Sequence, residues 1–199
     1  MTTAHTLAAG ATAEAAGAAV ARERGATVWL TGLPSAGKTT LARAVAERLA
    51  ATGRRVEVLD GDEIRRFLSQ ELAFTRADRH TNVTRIGFLA QTLASHGVLV
   101  LAPVIAPYAA SRAAVRERHA AGGTEYLEVH VATPVEVCSV RDVKGLYAKQ
   151  AAGELTGLTG VDDPYEEPES PDLRIRTEGR SVADTAAELH TFLIERGLA

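Results

Sequence analysis

The sequence predicts a three-layer α/β fold, a mostly parallel sheet flanked by helices. Three observations point there. Short apolar runs rich in β-formers alternate with amphipathic helical runs, the rhythm of right-handed crossovers between parallel strands. The run VLVLAPV at 98–104 is apolar throughout, as a strand is when both faces of its sheet are covered. A glycine-bearing turn joins the first strand to the first helix, at the sheet edge where α/β proteins collect ligands.

The elements follow in order. Residues 26–31 (ATVWLT) predict a buried strand. The helix after the turn places Leu41, Val45, Ala46 and Leu49 at helical spacing and stops near Gly53. RVEVLD at 55–60 predicts the second strand, followed by helices over 62–68 and about 78–95. In the longer one Val83, Ile86, Leu89, Ala90 and Leu93 share a face. Helix 109–120, strand 124–132, a short helix from Pro134, strand 173–176 and helix 182–196 complete the chain. The last helix has Val182, Ala186, Leu189, Phe192 and Leu193 as its apolar face. Residues 1–24 read as an alanine-rich extension, frayed or weakly helical, ahead of a domain spanning 25–199. A segment at about 141–170, bearing glycines and prolines and including a lid at about 141–165, breaks the rhythm. Such a stretch inside a domain predicts a mobile lid or binding loop.

Composition narrows the function. The chain has 199 residues, 46% hydrophobic and 24% charged, ordinary values for one globular domain. A net charge of −3 excludes a broadly basic nucleic-acid coat but allows a local basic pocket. The single cysteine, Cys138, excludes an internal disulfide and a multi-cysteine zinc site, and is compatible with the cytoplasm. The apolar run at 98–106 falls far short of the roughly 20 residues that span a bilayer, so no membrane partner is expected.

The turn reads Gly32-Leu33-Pro34-Ser35-Ala36-Gly37-Lys38-Thr39, followed by Thr40, and fits G-x-x-x-x-G-K-[ST]. Glycines let the backbone wrap with its amides inward, and the helix start adds partial positive charge. Lys38 would bridge the β- and γ-phosphates, and the Thr39 hydroxyl would ligate Mg²⁺. This strand–loop–helix context predicts a nucleoside triphosphate but does not choose between switch, ATPase and kinase. Asp60, at the end of the second strand, would hold the metal shell or accept a hydroxyl proton; a helix N-cap is the alternative, which Asp62 could also fill. No acidic residue ends the 98–104 strand, which favours a small-molecule kinase over a motor-type NTPase. Arg79, Asn82 and Arg85 recur three apart, with Arg65 nearby. They suit a phosphate or sulfate, or else form a solvated face.

Beyond the loop, VLDGDEIRRFLS, FTRADRHTNVTRIG, VIAPY and RDVKGLYAKQAAGELTGLTGVDDPYEEPE occur in fixed order. Together these stretches resemble the adenylyl-sulfate kinase family, almost continuously from about residue 25 to 193. The resemblance implies a P-loop kinase fold and transfer of the ATP γ-phosphate, with Mg²⁺, to the 3′-hydroxyl of adenosine 5′-phosphosulfate (APS). The product would be 3′-phosphoadenosine 5′-phosphosulfate (PAPS), made by a homodimer. By position, it implies that Gly32, Pro34, Ser35, Ala36, Gly37, Lys38, Thr39 and Thr40 hold ATP, with Arg141 against its adenine. It implies a catalytic or metal-side Asp60, with Thr39 as the other metal ligand. Asp62, Ile64, Arg65, Phe74, Arg79, Asn82, Ile105, Ala106, Lys144, Gly157 and Leu158 would face APS. Thr177 and Arg180 would approach the ATP base.

The departures fall around the acceptor. Ala106 replaces a frequent serine, which excludes a phosphoserine there and leaves direct in-line transfer. Glu63, His80, Thr81, Ala109, Ser111 and Leu158 also differ from the family's usual residues. Two other readings therefore stand beside the first. One is a kinase of the same fold acting on another nucleoside or metabolite hydroxyl; the other is a nucleotide-binding module without chemistry. Tyr147 and Lys149 are lid contacts or exposed loop residues. The acids at 162, 163, 166 and 167 hold a cation or solvate the loop.

Overall fold

All six side chains of β1 (Ala26–Thr31) are buried, because helices cover both faces of its sheet. A computed structural model describes residues 24–199; the expected N-terminal extension at 1–24 lies, but for its last residue, outside the described residues. Four further strands are parallel to β1: β2 (Val56–Val58), β3 (Leu99–Pro103), β4 (Glu125–Val131) and β5 (Leu173–Ile175). Their order is β2-β3-β1-β4-β5, so the strand that feeds the glycine turn is central.

Alternate residues of each strand go to opposite faces. Ala26, Val28, Leu30, Leu99 and Leu101 join one core layer, with α1 (Lys38–Ala51) and α7 (Val182–Glu195). Trp29, Val100 and Ala102 join the other, with α3 (Arg76–Ser95) and α4 (Ala109–Ala121). The two threonines of β1 are paired. Thr27 Oγ1 meets His119 Nε2 at 2.8 Å, and Thr31 Oγ1 donates to Ile105 O at 2.6 Å. Helices α3 and α4 pack closely at Gly87, where a Cβ would lie 2.7 Å from Val115 Cγ2. Among the described residues no helix is long and apolar enough to cross a membrane.

Three expectations change. The second strand is three residues, not six, because Asp60 is already the N-cap of α2 (Gly61–Leu68). Val182 leaves the apolar face of α7 and is about half exposed. Residues 141–165 are not an uncovered loop. After α5 (Val135–Arg141), Asp142 accepts the first-turn amides of Tyr147 and Ala148 and so organises α6 (Leu146–Ala151). Further on, Leu158 and Thr159 are buried, because Asp162 accepts the amides of Gly157 and Leu158 at 2.8 and 2.7 Å. Of the acids read as cation ligands or solvating groups, Asp162 and Glu166 anchor backbone amides, Asp163 accepts the Tyr108 hydroxyl, and Glu167 is an exposed partner of Arg174.

Candidate active site

The loop from β1 into α1 wraps as its glycines require. Gly32 has φ 154°, and a Cβ there would sit 2.6 Å from Val131 O. Lys38 folds back on the loop, donating to Gly32 O at 2.8 Å and Leu33 O at 2.7 Å. It is buried, and desolvation pushes its pKa down to about 7. The Thr39 hydroxyl donates to Asp60 Oδ2 at 2.8 Å. Asp60 Oδ1 accepts the amides of Asp62 and Glu63, so one carboxylate serves both as cap and as partner of Thr39. Among the described residues no group of three or more His, Cys, Asp or Glu could hold a metal ion by itself.

A cavity of about 500 Å³ opens from this loop. At one end Arg141 donates to Thr177 Oγ1 at 2.8 Å and Thr177 O at 3.1 Å, which fixes its guanidinium on the cavity wall. At the other end lie Arg65, Phe74, Arg79 and Asn82. The Phe74 ring lies 4.2 Å from the Arg65 guanidinium and 5.5 Å from that of Arg79, yet is 64% exposed. Arg79 donates Nε to Phe74 O, one terminal nitrogen to Thr159 Oγ1 at 3.0 Å and the other to Gly157 O at 2.6 Å. With five N–H groups, it keeps two for an incoming oxyanion. Asn82 is buried, and among the described residues its Oδ1 has no hydrogen-bond partner. Ile105 and Ala106 also line the cavity. Lys144 reaches back to Asp62 as an ion pair at the cavity edge.

The adenylylsulphate kinase family model matches residues 24–176. The chain belongs to that family. It is 53% identical to an adenylyl-sulfate kinase of Synechococcus sp. (strain JA-3-3Ab), over 81% of this chain and 89% of the relative. An adenylyl-sulfate kinase of Myxococcus xanthus is 49% identical, covering 89% and 95% of the two chains. Among solved structures it is similar to the Mycobacterium tuberculosis APS kinase in complex with AMPPNP and APS. That match has TM-score 0.84 and 45% identity, over 86% of this chain and 99% of the other. The shikimate kinase of Acinetobacter baumannii, 22% identical at TM-score 0.59, shares the fold alone.

Within this adenylyl-sulfate kinase the cavity gathers most of the expected residues. Ser35, Gly37, Lys38, Thr39, Thr40 and Arg141 line it, as do Asp62, Arg65, Phe74, Arg79, Asn82, Ile105, Ala106 and Lys144. Others stand elsewhere. Ile64 packs into the layer around Trp29 and Val83 instead of lining the cavity. Leu158 is buried in the opposite layer, and Gly157 reaches the site only through its carbonyl on Arg79. Pro34 and Ala36 do not line it; their carbonyls accept from Tyr147 and from Thr133, Arg141 and Thr177 respectively. Arg85 points to Leu68 O and Glu71, off the Arg79–Asn82 face. Tyr147 is buried and donates to Pro34 O at 3.1 Å, so this part of the lid rests on the phosphate loop. The sequence reading missed Val83, Val104, Val143, Leu146 and Thr185 on the cavity wall. The first four lie within the stretches quoted above but, being apolar, give no signal that separates a wall residue from a packing one, and Thr185 lies outside all of them.

Proposed function

We propose that the cavity holds ATP and APS end to end and transfers the γ-phosphoryl group to the APS 3′-hydroxyl. The observation that carries this reading is the continuity of one cavity from the phosphate loop to the Arg65–Phe74–Arg79 pocket. ATP occupies the loop, with its base against Arg141 and Thr177. The acceptor adenine stacks on Phe74, and its phosphosulfate takes the free N–H groups of Arg79 and those of Asn82. The new bond forms between the 3′-oxygen and the γ-phosphorus as the β,γ-bridging bond breaks, releasing ADP.

This chain's residues act by position and charge. Lys38 exchanges the loop carbonyls for phosphate oxygens, which restores its full charge. Asp60 uses three of about four lone-pair directions on Thr39 and two amides, leaving one for the hydroxyl proton or the metal shell. The neighbouring Thr39 hydroxyl and Asp60 carboxylate suit Mg²⁺, which takes few protein oxygens and completes its shell with phosphate and water. When bound, that ion neutralises the charge spread over the transferred group. Lys144 and residues 157–167 shield the junction from water.

The test uses the purified chain with ATP, Mg²⁺ and APS, with PAPS resolved chromatographically. The expected result is PAPS formation that EDTA abolishes. No doubly phosphorylated sulfonucleotide, or faster turnover of another nucleoside acceptor, would refute the reading. The same proposal makes the chain a homodimer, which sedimentation velocity checks. It also places it in the cytoplasm, where ATP is supplied and a free, buried Cys138 persists.

A further inference from the structure

We infer that Arg112, which does not line the cavity, is a positioning residue that sets affinity for the acceptor nucleotide. Arg112 lies in the first turn of α4 and is 3% exposed. Its three nitrogens go to three separate places. Nε donates to Glu128 Oε1 on β4 at 2.6 Å. One terminal nitrogen donates to Ala106 O at 2.9 Å, and the other to Glu166 O at 2.7 Å. None of the three partners belongs to the phosphate loop.

Ala106 lines the acceptor side of the cavity with φ 42°, a left-handed conformation that a residue with a Cβ holds only when its surroundings impose it. The Arg112 bond to its carbonyl is one such constraint. Glu166 belongs to the strap that follows the buried Leu158–Thr159 pair. It is zipped to the same wall: its amide donates to Pro107 O at 2.8 Å, and its carboxylate accepts the Ala109 amide at 2.7 Å. Tyr108 donates to Asp163 on the strap, and Asp163 lies 3.8 Å from Arg79 Nε. The wall, the strap and the arginine that faces the acceptor anion therefore form one body. Arg112 closes it onto the sheet through Glu128. A planar fork reaching three acceptors is a task that a lysine cannot perform.

The inference rests on the proposed acceptor site, so its test has a part that does not. In Arg112→Lys we expect KM for APS to rise by about tenfold or more, because small displacements of a positioned substrate are costly. KM for ATP should stay within about threefold, since the donor loop keeps its own contacts. Glu128→Gln keeps the acceptor oxygen but loses the charge, and should shift the APS KM in the same direction by less. It decides the matter should Arg112→Lys fail to fold. Hydrogen exchange supplies the independent readout. Amides of 104–109 and 157–167 should exchange faster in the variant while those of 32–40 are unchanged. Equal changes in both KM values, no change in either, or acceleration spread evenly over the chain would overturn the inference. If the wild type makes no PAPS, the function reading falls and the exchange pattern alone decides the role of Arg112.

Discussion

Lys38→Met should make the enzyme inactive and, without nucleotide, more stable. Lys38 is 8% exposed, and desolvation is the largest influence on it, holding its pKa near 7 against an ordinary 10.5. At pH 7 that difference corresponds to roughly 4 kcal/mol against the folded state. Removing the amine removes this cost but also breaks the bonds to Gly32 O and Leu33 O, worth about 1 kcal/mol each. A net gain of about 2 kcal/mol remains. The sign of its pH dependence follows from proton counting. Between about 7 and 10.5 the unfolded chain binds the Lys38 proton more tightly than the native state does. The wild type therefore gains stability as pH rises through that window, and the variant does not. Urea denaturation at pH 6.5 and pH 9.5 should show the variant ahead at the lower value, with the gap nearly closed at the higher. The kcat of Lys38→Met should fall by at least about a hundredfold, and ATP should no longer raise its Tm as it does the wild type's. A variant less stable at pH 6.5, or a gap indifferent to pH, would refute the reasoning.

Three further outcomes follow. Calorimetry of ATP binding at pH 8 in buffers of different ionisation enthalpy should show uptake of nearly one proton, as phosphate recharges Lys38; buffer-independent heats would contradict this. Tyr147→Phe leaves the buried Pro34 carbonyl without its donor and should cost about 1–3 kcal/mol in denaturant, with a higher KM for ATP. In Gly87→Ala the new methyl would lie 2.7 and 2.9 Å from the two γ-carbons of Val115. That overlap should outweigh the roughly 1 kcal/mol gain in helix propensity, and a following Val115→Ala should recover part of the loss in a double-mutant cycle.

The parts of this molecule legible in its sequence are those whose physics is local. The β1 strand, the glycine turn and α1 are contiguous, and the phosphate loop needs nothing from elsewhere to be recognised. The VLVLAPV run was equally plain, because a strand covered on both faces has no polar alternation. What failed depended on distant partners. Asp162 and Asp163 read as cation-binding or solvating charges, but they hold the Gly157 and Leu158 amides and the Tyr108 hydroxyl. Arg85 failed for a geometric reason. A three-residue step falls about 60° short of a full helical turn, so two steps carry it about 120° from Arg79 and off the cavity face. Ile64 fell to the core for want of any signal separating a wall residue from a packing one. Arg112 had no signal at all, since its three acceptors lie 6, 16 and 54 residues away along the chain.

The two outermost strands, β2 and β5, are each three residues long. Among the described residues they are the sheet's edges and offer an incoming backbone very little to pair with, so growth by adding a neighbour's strand gains almost nothing. Copies of this enzyme that associate must therefore meet through helical or loop surfaces, and a destabilised variant that clumps should do so by exposing its interior rather than by zipping at its margins.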